Sequence, residues 1–172
     1  VGGRGYTVGA IYDDTKFDEY ADGAARAGLQ VGAYFFSQAV SVAEAQEEAY
    51  HVLDKLRGHE ITGPVVFDWE VIGKSEARTY GIETGVLCAA ANAFCEIIKD
   101  AGYDPMIYIT DYAGYVKYDL SEVMDYPLWY ARYDVDAPSF YYDFAMWQYS
   151  SKGSVDGIKG NVDMDIWFIK DR

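Results

Sequence analysis

Cysteine, histidine and positive charge are all scarce in this chain. Of 172 residues, two are cysteines, Cys88 and Cys95, and two are histidines, His51 and His59. The cysteines fall in one stretch of helical pattern, where seven residues at ~1.5 Å each leave them ~10 Å apart, beyond the reach of a disulfide. They read as small buried apolar residues and do not reveal a redox compartment. The histidines have the spacing of no recognisable metal site, so neither a metal nor another cofactor is expected. Lys and Arg together number 14 against 28 Asp and Glu, a net charge of −14. Such a surface repels phosphate backbones, and nucleic acid is not an expected partner. No apolar run approaches the ~18–20 residues of a membrane span, so no membrane partner is expected either. No stretch reads as a signal peptide, and there is no internal repeat or low-complexity linker. The chain begins Val1-Gly2-Gly3 rather than with Met, which suggests a processed or excised piece.

What is present is apolar and aromatic. Hydrophobic residues make up 51% of the chain and aromatic residues 17%, with 17 Tyr and four Trp. That is enough for one domain, residues 1–172, with a sizeable core, and it argues against a disordered acidic chain. Aromatic faces with polar handles suit sugar rings as well as ordinary cores.

Helix and strand patterns alternate along the first half, the signature of a parallel α/β architecture. Phe17, Tyr20, Ala21, Ala24 and Ala27 recur at helical spacing and stop at Gly28. Val31 to Phe36 reads as a strand. Ser41-Val42-Ala43-Glu44 is a capping box that opens a helix running to about Arg57. Pro64 to Glu70 reads as a strand, and a long helix follows from Ile82 to Ala101. Asp104 to Thr110 is a further strand, and Asp111 to Asp125 is irregular. Pro127 to Ala131, Phe144 to Tyr149 and Val162 to Ile169 are strands, with a turn over Ser150 to Gly160. Six strands and three helices result, and the second half loses its helices. An irregular barrel fits that order better than a doubly wound sheet, although the chain is shorter than the ~200–250 residues of a full (β/α)8 barrel.

The strand Pro64-Val65-Val66-Phe67-Asp68-Trp69-Glu70 carries the chemistry. Side chains alternate across a strand, so Asp68 and Glu70 project from one face with Cα atoms ~6–7 Å apart. Two acids held this way suit glycoside hydrolysis, in which one carboxyl donates a proton and another group handles the cationic sugar. A strand that merely ends in solvated acids is the plain alternative.

Seven segments in register decide between them. They are Gly32-Ala33-Tyr34-Phe35-Phe36, the Ala- and Glu-rich helix after Ser41, Pro64 to Glu70, and Ala101-Gly102-Tyr103-Asp104-Pro105-Met106-Ile107-Tyr108. The last three are Leu128-Trp129-Tyr130-Ala131-Arg132-Tyr133, Trp147-Gln148-Tyr149-Ser150 and Val162-Asp163-Met164-Asp165. Together they resemble glycoside hydrolase family twenty-five, the Chalaropsis-type or phage-type lysozymes. The resemblance implies an irregular TIM-like (β/α)5(β)3 barrel and a secreted N-acetylmuramidase acting at the extracellular bacterial cell wall. The reaction implied is cleavage of the β-1,4 bond between N-acetylmuramic acid and N-acetylglucosamine in peptidoglycan. Carried over by position, Glu70 would be the general acid, Asp68 its acidic partner and Asp163 a further carboxylate. Trp147 and Tyr149 match barrel-mouth aromatics. Tyr34 and Tyr108 are substrate-binding candidates beside the reading that they fill the barrel.

The family opens with a strand of the type Gly-Ile-Asp-Val-Ser, whose Asp joins the active-site set, and this sequence has none. The expected barrel therefore lacks its N-terminal strand–helix unit. An open edge beside Val31–Phe36 or beside the last strand, pairing with a second copy there, or a rearranged N-terminal segment in the gap would follow. A catalytically impaired or vestigial barrel that only binds cell-wall glycan is the alternative function. A metal hydrolase using Asp68, Glu70 and Asp163 is a weaker one, since most such sites recruit His.

Overall fold

The computed structural model describes residues 1–169. Its centre is one eight-stranded sheet in the order β2-β1-β3-β4-β5-β6-β7-β8. The strands are β1 (Gly2–Arg4), β2 (Ile11–Asp13), β3 (Ala33–Ser37), β4 (Val65–Trp69), β5 (Pro105–Thr110), β6 (Leu128–Ala131), β7 (Met146–Gly153) and β8 (Val162–Trp167). From β1 through β3 to β7 every neighbouring pair is parallel. The two outer pairs, β1 with β2 and β7 with β8, are antiparallel. Three helices, α1 (Phe17–Arg26), α2 (Val42–Leu56) and α3 (Thr84–Asp100), connect strands in the first half. After β5 only a π-helical turn (Ala113–Lys117) and a 3-10 turn (Leu120–Glu122) appear. The loss of helices expected from the sequence is thus the architecture observed.

Local chemistry explains the helix ends. Ser41 caps α2 by accepting from the Glu44 N–H at 3.3 Å. The Glu44 carboxylate reaches back to the Val40 N–H at 2.9 Å, one residue earlier than in the usual reciprocal box. Gly28, Gly58 and Gly102 take the positive φ that follows a helix end. Cys88 and Cys95 are free and buried on α3, as small apolar residues.

Strand alternation divides the apolar residues between two cores. Val65, Phe67 and Trp69 of β4, with Ile107 and Ile109 of β5, belong to the large core that also takes in α2 and α3. Phe67 meets Phe94 of α3 at 5.3 Å between ring centroids. Val66, Met106, Tyr108 and Ala131 form a smaller cluster on the other sheet face, with Trp129 and Met146 against it. The sheet curls around that second face, because residues of both its first and last strands line one cavity there.

Three differences from the sequence reading have physical reasons. β1 and β2 are both strands, where the sequence gives no strand before Val31, because three-residue strands show no periodicity. β7 runs on to Gly153 through the expected turn, since register shifts after Gln148 and Ser150 let it stay paired with β8. β3 has no free edge: β1 covers it, and the β2 hairpin covers β1 in turn. Among the described residues, β8 pairs only with β7, so the sheet does not close. No described helix is long and apolar enough to cross a membrane.

A buried ion pair joins the first strand to α2. The Arg4 Nε donates to Glu48 Oε1 at 2.7 Å, and Glu48 is fully buried. Arg4 also donates to Glu47, to the Gly9 carbonyl and to the Glu44 carbonyl. Removing one partner of such a pair strands the other charge. Arg4→Ala is therefore expected to cost about 3–5 kcal/mol, read as a lowered urea midpoint with an unchanged slope.

Candidate functional site

The cavity lies at the C-terminal ends of the parallel strands and has a volume of about 540 Å3. Asp68, Glu70 and Asp163 all line it. Asp68 faces inward from β4 because Phe67 and Trp69 face the helices, and Glu70 follows one residue past the strand on the same side. Asp163 arrives by a different geometry. β8 is antiparallel, so its beginning, not its end, lies beside the ends of the parallel strands.

Asp68 and Glu70 hold their protons more tightly than free carboxyls do. Burial pushes Asp68 up to about 8, with the nearby Glu70 charge adding to the effect. Burial also raises Glu70, and the charge of Asp163 raises it further. Asp68 Oδ1 is buried and has no hydrogen-bond partner. Glu70 is less enclosed, and its backbone is held from behind. Gln38, fully buried, donates Nε2 to the Glu70 carbonyl at 3.1 Å and accepts at Oε1 from Thr79 Oγ1 at 2.7 Å.

Of the four aromatic candidates, two line the cavity and two do not. Tyr34 and Tyr108 face it. Trp147 and Tyr149 are absent from its lining, because on β7 they alternate with Gln148 and it is Gln148 that points inward. Trp147 packs in the outer core and donates Nε1 to the Arg132 carbonyl at 2.9 Å.

The structure adds lining residues that the sequence reading passed over. Gln148 Oε1 accepts from Tyr108 Oη at 2.9 Å and also from Tyr133 Oη. Trp129 stands edge-on to Tyr108 at 5.1 Å and donates Nε1 to Asp165 Oδ1 at 2.8 Å. Tyr12 reaches in from the β2 hairpin. Gly3 makes room for it, since a Cβ there would lie 2.6 Å from Tyr12 Oη and 2.9 Å from the Phe36 Cβ. The strand alternation of Trp147-Gln148-Tyr149, two aromatics on one face and an amide on the other, was the available signal for Gln148. None was available for Tyr12.

Among the described residues, no three His, Cys, Asp or Glu side chains group as a metal site. Each histidine instead meets a carboxylate: His51 that of Asp13 at the end of β2 at 2.8 Å, and His59 that of Asp22 on α1 at 2.7 Å.

The raised Asp68 has a consequence for stability. An acid whose folded pKa exceeds its unfolded one makes the fold lose stability as pH rises between the two, here from about 4 to about 8. Asp68→Asn removes that cost. It is expected to raise the melting temperature at pH 9 and to leave it nearly unchanged at pH 4, which thermal melts at the two pH values would read.

The cavity, its carboxyls and the sheet around them can be set beside known proteins. The family model "Glycosyl hydrolases family 25" matches residues 6–158. An "Autolytic lysozyme" of Clostridium acetobutylicum is 31% identical over 160 residues, covering 92% of this chain and 46% of that protein. The crystal structure of the CTP1L endolysin superposes with a TM-score of 0.74 at 27% identity, over 96% of this chain and 55% of that one. The bacterial lysozyme from Streptomyces coelicolor gives 0.75 at 25% identity, over 96% and 77%. The chain spans about half the length of the curated relatives it matches. With a family model covering most of its length, an α/β sheet shared with lysozyme structures and a carboxyl-lined cavity at the strand ends, this chain belongs to glycosyl hydrolase family 25.

Proposed function

We propose that the protein is a peptidoglycan hydrolase, cleaving the β-1,4 bond between N-acetylmuramic acid and N-acetylglucosamine with Glu70 as the general acid. The observation that carries this reading is the meeting of Asp68, Glu70 and Asp163 in one cavity. A general acid working near neutral pH needs a raised pKa, and burial and then the charge of Asp163 both raise that of Glu70. Asp68, deeper and partnerless at Oδ1, orients the sugar's acetamido group. Asp163 supplies negative charge opposite the positive charge that builds on the ring. Tyr34 and Tyr108 form the wall the sugar rests against. The same reading makes the 172 residues one barrel domain acting at the extracellular cell wall, with no metal in the reaction.

A second reading is a barrel that binds cell-wall glycan without cleaving it. One observation favours it: the sheet carries the β2 hairpin on one outer side and, among the described residues, leaves the outer edge of β8 unpaired on the other, so the carboxyls are not fully enclosed. That unpaired β8 edge is also where a second copy of the chain would add its own strand.

Three measurements separate these readings. Release of reducing ends from purified cell walls is expected from the protein, unchanged by a chelator. Glu70→Gln is expected to lower it roughly 10²–10⁴-fold, since the amide keeps the shape but cannot donate an acid proton. Co-sedimentation with cell walls without any release would support the binding module instead. For self-association, sedimentation velocity is expected to show a mass that rises with concentration, and Ile166→Lys on β8 is expected to abolish that rise.

A further inference from the structure

We propose that a second cavity, on the Trp69 side of β4, binds the carboxylate end of a short peptide with small apolar side chains. The peptides that cell-wall glycan carries are the source that fits, and naming them rests on the peptidoglycan reading given above.

This cavity has a volume of about 390 Å3. The loop that leads away from Glu70 lines it with Val71, Ile72 and Lys74, and the segment after β5 adds Tyr112 and Lys117. Glu70 lines the carboxyl cavity, while Trp69, one residue earlier, lines this one. Strand alternation therefore sets the two cavities on opposite sides of one strand end. Its charge is the reverse of the rest of the surface. Two lysines line it and no Asp or Glu does, in a chain with 28 acids against 14 bases. Four other cavities each have an acid in their lining, among them Asp14, Asp125, Asp163 and Asp165.

Both ammonium groups rest on aromatic rings. Lys74 Nζ donates to Tyr6 Oη at 3.3 Å and lies 5.1 Å from that ring's centroid, and Lys117 Nζ lies 6.0 Å from that of Tyr112. Among the described residues neither reaches a carboxylate within salt-bridge distance, as Lys16 and Lys55 do; Glu76 acts on Lys74 only from farther away. A lysine on a ring keeps its charge and N–H donors for an incoming anion. The remaining lining decides which anion. Trp69, Ile72 and Ala77 are apolar surface, and Trp69 is 1% exposed with its Nε1 buried and without a partner. Tyr80 and Tyr112 are largely exposed and offer flat faces with a polar tip. A phosphate has more oxygens than this surface has donors, and there is no arginine fork to pair them. A carboxylate has two oxygens, and its apolar substituent covers the rest. Three extended peptide residues span up to ~10 Å, so a peptide carried by glycan in the first cavity has the length to set its carboxylate in the second.

The test titrates the whole chain with N-acetyl-alanyl-alanine, with the same dipeptide amidated at its C-terminus, and with glycerol phosphate. Binding is read by NMR from the indole N–H signals of the four tryptophans. The acid is expected to move the Trp69 signal and leave that of Trp129, which lines the carboxyl cavity; the amide is expected to bind more weakly, and so is glycerol phosphate. The double variant Lys74→Gln with Lys117→Gln should weaken the acid about 3–30-fold, as two exposed ion pairs imply, and leave the amide unchanged. Should the double variant melt below the parent, the two single variants replace it, each expected to give part of that loss. No binding, equal binding of acid and amide, tighter binding of glycerol phosphate, a shift at Trp129 in place of Trp69, or an unchanged affinity in the lysine variants would each overturn the proposal. The titration needs neither glycan nor turnover, so failure of the hydrolase reading appears separately, as no reducing ends released from cell walls.

Discussion

The buried pair of Arg4 and Glu48 is the interaction on which the placement of everything else depends. β1 is three residues long and has little apolar side chain of its own, with glycines at two of its three positions. Besides its pairing with β2 and β3, it is held by Arg4, which reaches Glu48 and Glu47 on α2 and the backbone of its own hairpin at Gly9. Glu48 passes the connection on by accepting from Ser37 Oγ at 2.6 Å, at the end of β3. A second guanidinium continues it: Arg78 bonds Glu44 at 2.6 Å and the Gln38 carbonyl at 3.2 Å. Gln38 ends the chain at the Glu70 backbone. Opposite charges are thereby used at depth, in a protein whose surface is strongly acidic, to fix the loops that follow β1, β3 and β4. Burial raises the Glu48 pKa, and Ser37 and Arg4 counter that rise. The pair is thus a specifying device more than a source of net stability.

A second constraint is the two-residue period of the strands. It sends Val65, Phe67 and Trp69 to the helices, Asp68 and Glu70 to the cavity, and Val66 to the smaller apolar cluster, so packing and chemistry share one segment without competing. The same period on β7 puts Trp147 and Tyr149 to the outside and Gln148 within. Polar groups on the inner face cannot all reach water. They are either tied to one another, as Tyr108, Tyr133 and Gln148 are, or left with raised proton affinity, as Asp68 is.

What could be read from the sequence follows from these constraints. The long helices were legible because their apolar residues repeat over many turns, and Ser41 marks its cap plainly. The β4 pair of acids was legible because alternation alone places Asp68 and Glu70 on one face. On β7 the resemblance singles out the two aromatics, whereas the period-2 alternation turns Gln148 toward the cavity. The β1–β2 hairpin and Tyr12 were not legible, since three-residue strands carry no pattern and the ring's place depends on the missing side chain of Gly3. The Arg4 network was invisible for another reason. Its members are separated by up to 44 positions along the chain, and nothing local requires them to meet.

The direction of β8 has a consequence for how such a molecule can be altered. Because β7 ends and β8 begins at the cavity end of the sheet, the connection between Gly153 and Val162 lies at that end. That connection is polar, exposed, and turned by Gly157 and Gly160 with positive φ. None of its residues belongs to the helix-facing core, so its length is free to change while the strands bearing the carboxyls stay in register. It is a doorway rather than a wall, the part of the fold where access for a long polymer can be widened or narrowed without rebuilding the room behind it.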